Sequence, residues 1–235
     1  AKPHSATVSM TPWVLLDTAT IPGNNRQLRL YQRGQEYSIK ITGEGELMNS
    51  RVHGSEDALA ELACARLAGS HRKTILIGGL GMGFTLAAAL RNVSSTAQVE
   101  VAELIPDVVR WNHGPLGEAA GHPLKDARVM VREDDVARVL TKQRGAYDAI
   151  LLDVDNGPEG LTRKQNDWLY SLSGLTTAFE ALRAHGVLAV WSAGADRHFT
   201  SRLHKVGFDV EEIRTRARPN GKGSHHVIWL GIRPK

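Results

Sequence analysis

An apolar run from Tyr147 to Leu152 ends in Asp153, and Asp155 follows two residues later, held by a turn of Asn156, Gly157 and Pro158. Two acids at the mouth of a pocket suit an amine substrate. They attract its ammonium form and can accept the proton that it must lose before attacking. The D-x-D spacing could also serve a divalent cation. No third ligand accompanies it, and adjacent His225 and His226 would point to opposite faces of a strand. No metal is expected. Upstream, Gly79, Gly81 and Gly83 lie between the apolar "TILIG" and the helix-forming "FTLAAAL". Glycine serves where backbone turns sharply or something approaches closely, which here is either a nucleotide-bearing ligand or a helix packing on a strand. A phosphate loop is disfavoured, because "GGLGMGFT" lacks the lysine with its Ser/Thr partner.

Glu103 moves the balance toward a nucleoside. It stands about twenty residues beyond the glycines, where an acid can accept hydrogen bonds from both ribose hydroxyls. Its alternative is a solvated strand end. Asp134 and Asp135 follow the next apolar segment. Asp135 is placed to take the exocyclic amine of an adenine, or Asp134 if the strand runs one residue differently. One of the two also suits the N-cap of the helix "DDVARVL".

These residues need a frame, and the hydrophobic pattern supplies one. From His71 onward, strand patterns ("TILIG", "QVEVAEL", "ARVMV", "YDAILLD", "VLAVWS", "FDVEEIR", "HHVIWLGI") are interleaved with helical ones. The expected helices are Phe84 to Arg91, Pro106 to His113, Asp135 to Gln143, Gln165 to Ala184 and Asp196 to Val206. Such alternation indicates an α/β fold with a mostly parallel sheet covered on both faces. The last two strands lack a helix between them and should form an antiparallel hairpin at one edge. Before His71 the segments "WVLLDTA", "QLRLYQRG", "EYSIKIT" and "GELMNS" read as a small antiparallel sheet. A helix with Ser55 as N-cap and Glu56 and Asp57 in its first turn follows, running toward Gly69. The division expected is a β-rich unit with its linking helix over 1–70 and a Rossmann-like nucleoside-binding unit over 71–235.

Composition bounds the function. With 42% hydrophobic and 23% charged residues among 235, the chain reads as globular rather than disordered. No apolar stretch reaches membrane-spanning length, and "AKPHSATVSM" lacks the apolar region of a secretory signal. One cysteine, Cys64, fits a reducing compartment, and the cytoplasm is expected. The net charge of +4 is spread among interleaved acids, and the densest basic run, Arg214 to Gly223, reads first as a solvated loop. Nucleic acid is therefore a disfavoured partner, whereas a mild positive field can attract a small anion.

Seven strands ending in an antiparallel hairpin match the class I S-adenosylmethionine-dependent transferases. From about Tyr37 to the end, the chain further resembles the polyamine aminopropyltransferases, the spermidine synthase family. That family's GGGDGG looks like "GGLGMG" here, its E-I-D like "ELI", its G-D-G/A like "DDV", and its D-x-x-D-P-x-G-P like "DVDNGPEG". The resemblance carries the ribose role onto Glu103, the nucleoside contact onto Asp135 and the catalytic acid onto Asp153, with Asp155 corresponding loosely. The family's D-E-x-x-Y-H-E becomes "SEDALAE", which keeps Glu56 and Glu61 for the substrate and puts Ala60 at the histidine position. Gly81 stands where the family has the aspartate that helps hold the donor's aminopropyl amine.

The donor implied is S-adenosylmethionine or its decarboxylated form. The first carries a carboxylate, for which Arg51 and His53 could supply positive charge, unless they are surface charge on a turn. The function expected is aminopropyl transfer to a small amine, with Asp153 and Asp155 orienting and deprotonating it, without a metal, in a protein that can form a homodimer. A methyltransferase on the same nucleoside site, and a nucleoside-binding or interaction protein without catalysis, are the alternatives.

Overall fold

The structure, a computed structural model, describes residues 11–23, 26–67, 69, 72–153, 166–216 and 225–235. Four strands come first: β1 (Val14–Thr20), β2 (Gln27–Arg33), β3 (Glu36–Ile41) and β4 (Gly45–Asn49). They form an antiparallel sheet in the order β1-β2-β3-β4. Helix α1 (Gly54–Ala65) then leads into β5 (Thr74–Gly78), α2 (Phe84–Asn92), β6 (Gln98–Ala102), α3 (Pro106–His113) and α4 (Pro115–Ala120). After these come β7 (Val129–Arg132), α5 (Val136–Thr141), β8 (Tyr147–Leu152), α6 (Leu172–Ala181), β9 (Leu182–Ser192), α7 (Arg197–Val206), β10 (Asp209–Arg216) and β11 (His225–Ile232).

The seven later strands form one sheet in the order β10-β11-β9-β8-β5-β6-β7. Strand β5 pairs in parallel with both β6 and β8, and β11 runs antiparallel to β9 and β10, which is the expected edge hairpin. The chain moves outward from β5 through β6 to β7, then returns to the other side of β5 with β8. The order of strands thus reverses between β5 and β8. In such sheets this is where a crevice opens at the carboxyl ends.

Every residue of β8 is buried, as parallel strands covered on both faces require. Alternate side chains serve two cores. Ile75, Ile77, Ala149 and Leu151 face α1 and the inner side of the N-terminal sheet, packing with Leu59, Leu30 and Ile39. Leu76, Ile150 and Leu152 face the other way, into a cluster with Leu175, Phe199 and Trp229. The first core joins the small sheet to the large one, so the small sheet roofs the carboxyl ends of β5 and β6.

Three local expectations change. The long helix from Gln165 to Ala184 is instead a 3-10 turn at Asn166–Trp168 followed by α6, capped by Ser171, whose Oγ accepts the Gly174 N–H at 3.2 Å. Leu182 already pairs with Tyr147 as a strand residue, so sheet formation overrides the helical pattern of "FEALRAHG". Ser55 does not cap α1; His53 occupies the N-cap, and Ser55 donates to Glu56 Oε2 at 2.7 Å. Helix α4 was not anticipated.

A polar tie fixes the roof to the large sheet. Asp17 on β1 accepts hydrogen bonds from Trp111 Nε1 and Arg110 Nη1 on α3, both at 2.8 Å. The Trp111 bond, then the Thr18 backbone N–H, hold the Asp17 carboxyl below its ordinary 3.8. Asp17→Ala leaves the buried indole N–H without an acceptor, at a cost of about 1–3 kcal/mol. Thermal melting should show a drop of several degrees at neutral pH. Because the folded pKa is lowered, the contribution is present above the unfolded value and is lost as pH falls through the folded one. The gap between wild type and variant should therefore narrow below about pH 4; equal melting at pH 7 would remove Asp17 as a tie.

Candidate functional site

The glycine loop follows β5 at the switch point. Gly79, Gly81 and Gly83 all have positive φ (90°, 52° and 84°), the left-handed region that L side chains resist. Gly83 is the N-cap of α2, and a Cβ there would lie 2.9 Å from Asn112 Oδ1 and 3.2 Å from Pro123 Cγ. Gly83 therefore answers to close packing. At Gly81, by contrast, a Cβ would meet the Met48 thioether, with Sδ at 3.3 Å, in the space beneath the small sheet.

Glu103, just beyond β6, is 7% exposed and is no solvated strand end. Its Oε2 accepts the Leu80 N–H and its Oε1 the Ile105 N–H, both at 2.9 Å. Burial pushes its carboxyl up, and the surrounding backbone N–H groups, Leu80 first, pull it back. Besides the two hydrogen-bonded donors, the Leu104 and Gly81 N–H groups also act on it, so a ligand's hydroxyls would share its roughly four acceptor positions with backbone. Asp135 caps α5, accepting the Ala137 N–H at 2.9 Å, and it also lines the cavity beside Glu103. Asp134 does not line that cavity; it faces Arg138 at 3.6 Å and Lys142 at 4.0 Å. Capping and cavity-lining thus fall on one aspartate rather than being divided between two.

This cavity lies between the inner face of the small sheet (Leu28, Ile39 and Ile41) and Gly79, Gly81, Glu103, Asp135 and Asp153. It has apolar walls and a few convergent polar groups, the usual make-up of a small-molecule site. A second cavity adjoins it, lined by Glu56, Phe84, Thr85 and Trp191. The two share Leu47, Met48, Gly81 and Asp153.

Asp153 stands at the junction. Its backbone N–H donates to Gly78 O at 3.0 Å, which continues the β5–β8 ladder by one bond, and its Oδ2 accepts the Thr85 hydroxyl at 2.7 Å. By accessible surface Asp153 is half-buried, because it faces a cavity that water can enter; protein nonetheless encloses it densely. That enclosure raises its carboxyl, against the Thr85 hydrogen bond, which lowers it. Glu56, in the first turn of α1, is pushed up to about 7, by burial first and by the Asp153 charge second. Two carboxylates facing one enclosed space resist joint ionisation, and an ammonium between them relieves both.

The other expected residues lie elsewhere. Glu61 is exposed and lines neither cavity, so α1 presents only Glu56 of the pair to the site. Arg51 is half exposed and lies 3.7 Å from Glu36, outside both cavities. The His53 ring stacks on Phe84 with centroids 4.1 Å apart, and its Nδ1 lies 2.8 Å from Asp57 Oδ2. That hydrogen bond, above all, raises the imidazole's pKa. Asp155 lies outside the described residues. Among the described residues no cluster of three or more His, Cys, Asp or Glu side chains could hold a metal, and no helix is long and apolar enough to cross a membrane.

Thr85, Met48 and Trp191 were not singled out beforehand. Thr85 carried a signal, as the one polar residue in the apolar run from Phe84 to Leu90. Met48 and Trp191 carried none, since apolar strand residues read as core.

No family model and no curated protein matches the chain. Solved structures do. Spermidine synthase from Thermotoga maritima superposes with a TM-score of 0.73 at 15% identity, over 93% of this chain and 72% of that one. A spermidine synthase in complex with the transition state analogue AdoDATO gives 0.72 at 15% identity, with the same coverage of 93% and 72%. A probable spermidine synthase from Corynebacterium glutamicum gives 0.63 at 15% identity, over 93% of this chain and 79% of that one. What these identities carry is architecture: a mostly parallel seven-stranded sheet preceded by a four-stranded antiparallel one, the fold of the spermidine synthases.

Proposed function

We propose that the protein is an aminopropyltransferase-type enzyme that holds a sulfonium nucleoside in the first cavity and a small primary amine in the second. The observation that carries this reading is the junction. One carboxylate, Asp153, lines both cavities and faces Glu56 across the second. A nucleophile and an electrophile seated in adjoining cavities must meet there.

In this reading Glu103 accepts the ribose hydroxyls and Asp135 the adenine amine. The donor's sulfonium already activates the carbon to be attacked, so the protein supplies alignment and proton removal. The acceptor enters as an ammonium, drawn by Glu56 and Asp153, and one proton passes from its nitrogen to Asp153. The freed lone pair forms the new C–N bond as the C–S bond breaks, and that electron pair stays on sulfur, giving a neutral thioether. The product leaves as a secondary ammonium, and Asp153 returns its proton to water. Asp155 is a further candidate for orienting the amine.

Decarboxylated S-adenosylmethionine is the favoured donor. The neighbour holding AdoDATO supports it, as do two carboxylates awaiting a cation. Gly81 supports the second reading, methyl transfer from S-adenosylmethionine, since Met48 rather than a carboxylate lies over it. Titration calorimetry with both donors separates the two: tighter binding of the decarboxylated donor is expected, and preference for S-adenosylmethionine would replace the first reading by the second. Binding of neither would leave no transferase at all.

Two substitutions test the roles. Glu103→Gln turns an acceptor toward two backbone N–H donors and should weaken donor binding about tenfold, roughly 1.4 kcal/mol. Asp153→Asn should lower aminopropyl transfer to putrescine by about a hundredfold or more while donor affinity stays within a few-fold. Transfer that survived this change would end the catalytic assignment.

The pH profile has a definite sign. Protonating Glu56 removes charge that draws the ammonium, and protonating Asp153 removes the proton acceptor, so kcat/KM should fall as pH drops through about 7, the value to which Glu56 is pushed. In Glu56→Gln, Asp153 loses its like-charged neighbour, and the acidic limb should move to lower pH. A limb that stays in place would show that Glu56 does not face Asp153 electrostatically.

A further inference from the structure

Asn112 is a polar residue on the buried face of α3, which it shares with Val108, Val109 and Trp111, and it is 1% exposed. Its amide reaches out of the helix to the glycine loop. Nδ2 donates to Gly81 O at 2.8 Å and to Val108 O at 2.9 Å. Two carbonyl acceptors fix the orientation of the amide, since only its NH2 end can serve both. Oδ1 is then left beside Gly83, buried and without a hydrogen-bond partner among the described residues. A buried acceptor without a partner is unfavourable, so an apolar side chain would serve packing better here. What asparagine adds is the bond to Gly81.

The loop needs such a bond. Its N–H groups are largely engaged: Gly79 donates to Ala102 O at 2.9 Å, Leu80 to Glu103, and Gly83 to Leu80 O at 2.8 Å. The last of these closes a four-residue turn whose central peptide joins Gly81 to Met82. In that turn φ is positive at Gly81 and not at Met82, the pattern that calls for glycine at the first central position. Glycine leaves the central peptide room to rotate. Asn112 takes its carbonyl and holds it toward α3. The peptide is trans and planar, so its N–H, on Met82, is turned away from α3.

We propose that Asn112 is a positioning residue for the donor's tail. It lines neither cavity and acts through Gly81, which lines both. The inference rests on the reading of the first cavity as the seat of a sulfonium nucleoside. There Glu103 and Asp135 hold the nucleoside, and the tail that carries the reacting carbon passes Gly81. With the Gly81 carbonyl held toward α3, the tail's ammonium finds no acceptor in this peptide and continues to the junction, where Asp153 stands. A released peptide rotates and offers the ammonium a carbonyl short of the junction. One contact then replaces another, so the donor still binds, but its carbon is misplaced for attack. A misplacement of about 1 Å can cost about a hundredfold in rate.

The test has one arm without ligand and one with it. Gly81–Met82 is the only Gly-Met pair in the sequence, so carbonyl-13C glycine combined with 15N methionine gives this peptide a single correlation signal. Asn112→Leu, close in shape, should move the Gly81 carbonyl resonance upfield, as loss of a hydrogen bond to a carbonyl does. Asn112→Ala serves if the leucine variant does not fold. In the transfer assay kcat should fall about tenfold or more, while calorimetry finds the affinities for adenosine and for the decarboxylated donor within a few-fold of wild type. An unmoved carbonyl would overturn the proposal, because Asn112 would not hold the peptide. A moved carbonyl with unchanged kcat would overturn it as well, because the peptide's orientation would not matter. Adenosine and donor weakening together would mark Asn112 as a support of the whole site, against the proposal. Should the wild type bind neither ligand, the functional reading fails and takes the positioning role with it, and a moved carbonyl would then mark the bond as structural.

Discussion

The hydrogen bonds from Leu80 and Ile105 to Glu103 are the constraint around which the ligand-facing end of the sheet is arranged. A buried carboxylate is costly unless donors surround it. The backbone that supplies them must then be brought to it. One donor comes from the glycine loop after β5 and the other from the turn into α3, so a single side chain fixes the loops at two strand ends. The loop can comply because Gly79 and Gly81 accept positive φ on either side of Leu80. Its course in turn sets where α2 begins, and α2 carries Thr85 to Asp153. A ligand hydroxyl that donates to Glu103 would meet a site already in place.

The second cavity works by the opposite logic. At Glu103 backbone donors offset burial. At Glu56 and Asp153 the donors are few, Ser55 for one and Thr85 for the other, and each acid worsens the position of its neighbour. The result is a pair of raised carboxyls that resist joint ionisation. On the proposed reading, one fold thus uses carboxylates in two ways, as a fixed hydrogen-bond acceptor and as an exchangeable base. The difference lies in how many N–H and O–H groups the local backbone turns toward each.

Much of this was legible in the sequence because the site sits on strand ends. Buried parallel strands announce themselves as short apolar runs, and the residue that ends the run is the residue at the crevice. Thr74–Gly78, His225–Ile232 and Pro106–His113 were bounded correctly by their flanking glycines, prolines and charges. Glu103 and Asp153 followed from those bounds. Asp134 and Asp135 could not be separated, because which of them turns inward depends on β7 ending at Arg132, a register set by pairing with β6 rather than by local preference. Glu61 misled for a related reason. It lies five residues after Glu56, which on a helix is about 140° around the axis, so the two cannot share a face. Met48 was illegible, since its place over the glycine loop arises from the docking of one sheet on another.

That docking bears on the group to be transferred. Position 81 combines a positive φ with a thioether 3.3 Å from any Cβ, so a side chain there would demand both a strained backbone and a displaced Met48. On the proposed reading, a cationic tail extending from the nucleoside past Gly81 would find apolar sulfur on that side. The carboxylate it meets next is Asp153, which lines both cavities. On the proposed reading, the charge that draws the acceptor's ammonium is then also the charge nearest the donor's tail. Two cations competing for one carboxylate pair would repel each other unless one arrives neutral. The base must accordingly take the acceptor's proton before the reacting atoms close, and the arrangement of Glu56, Thr85 and Asp153 at the junction is suited to that order of events.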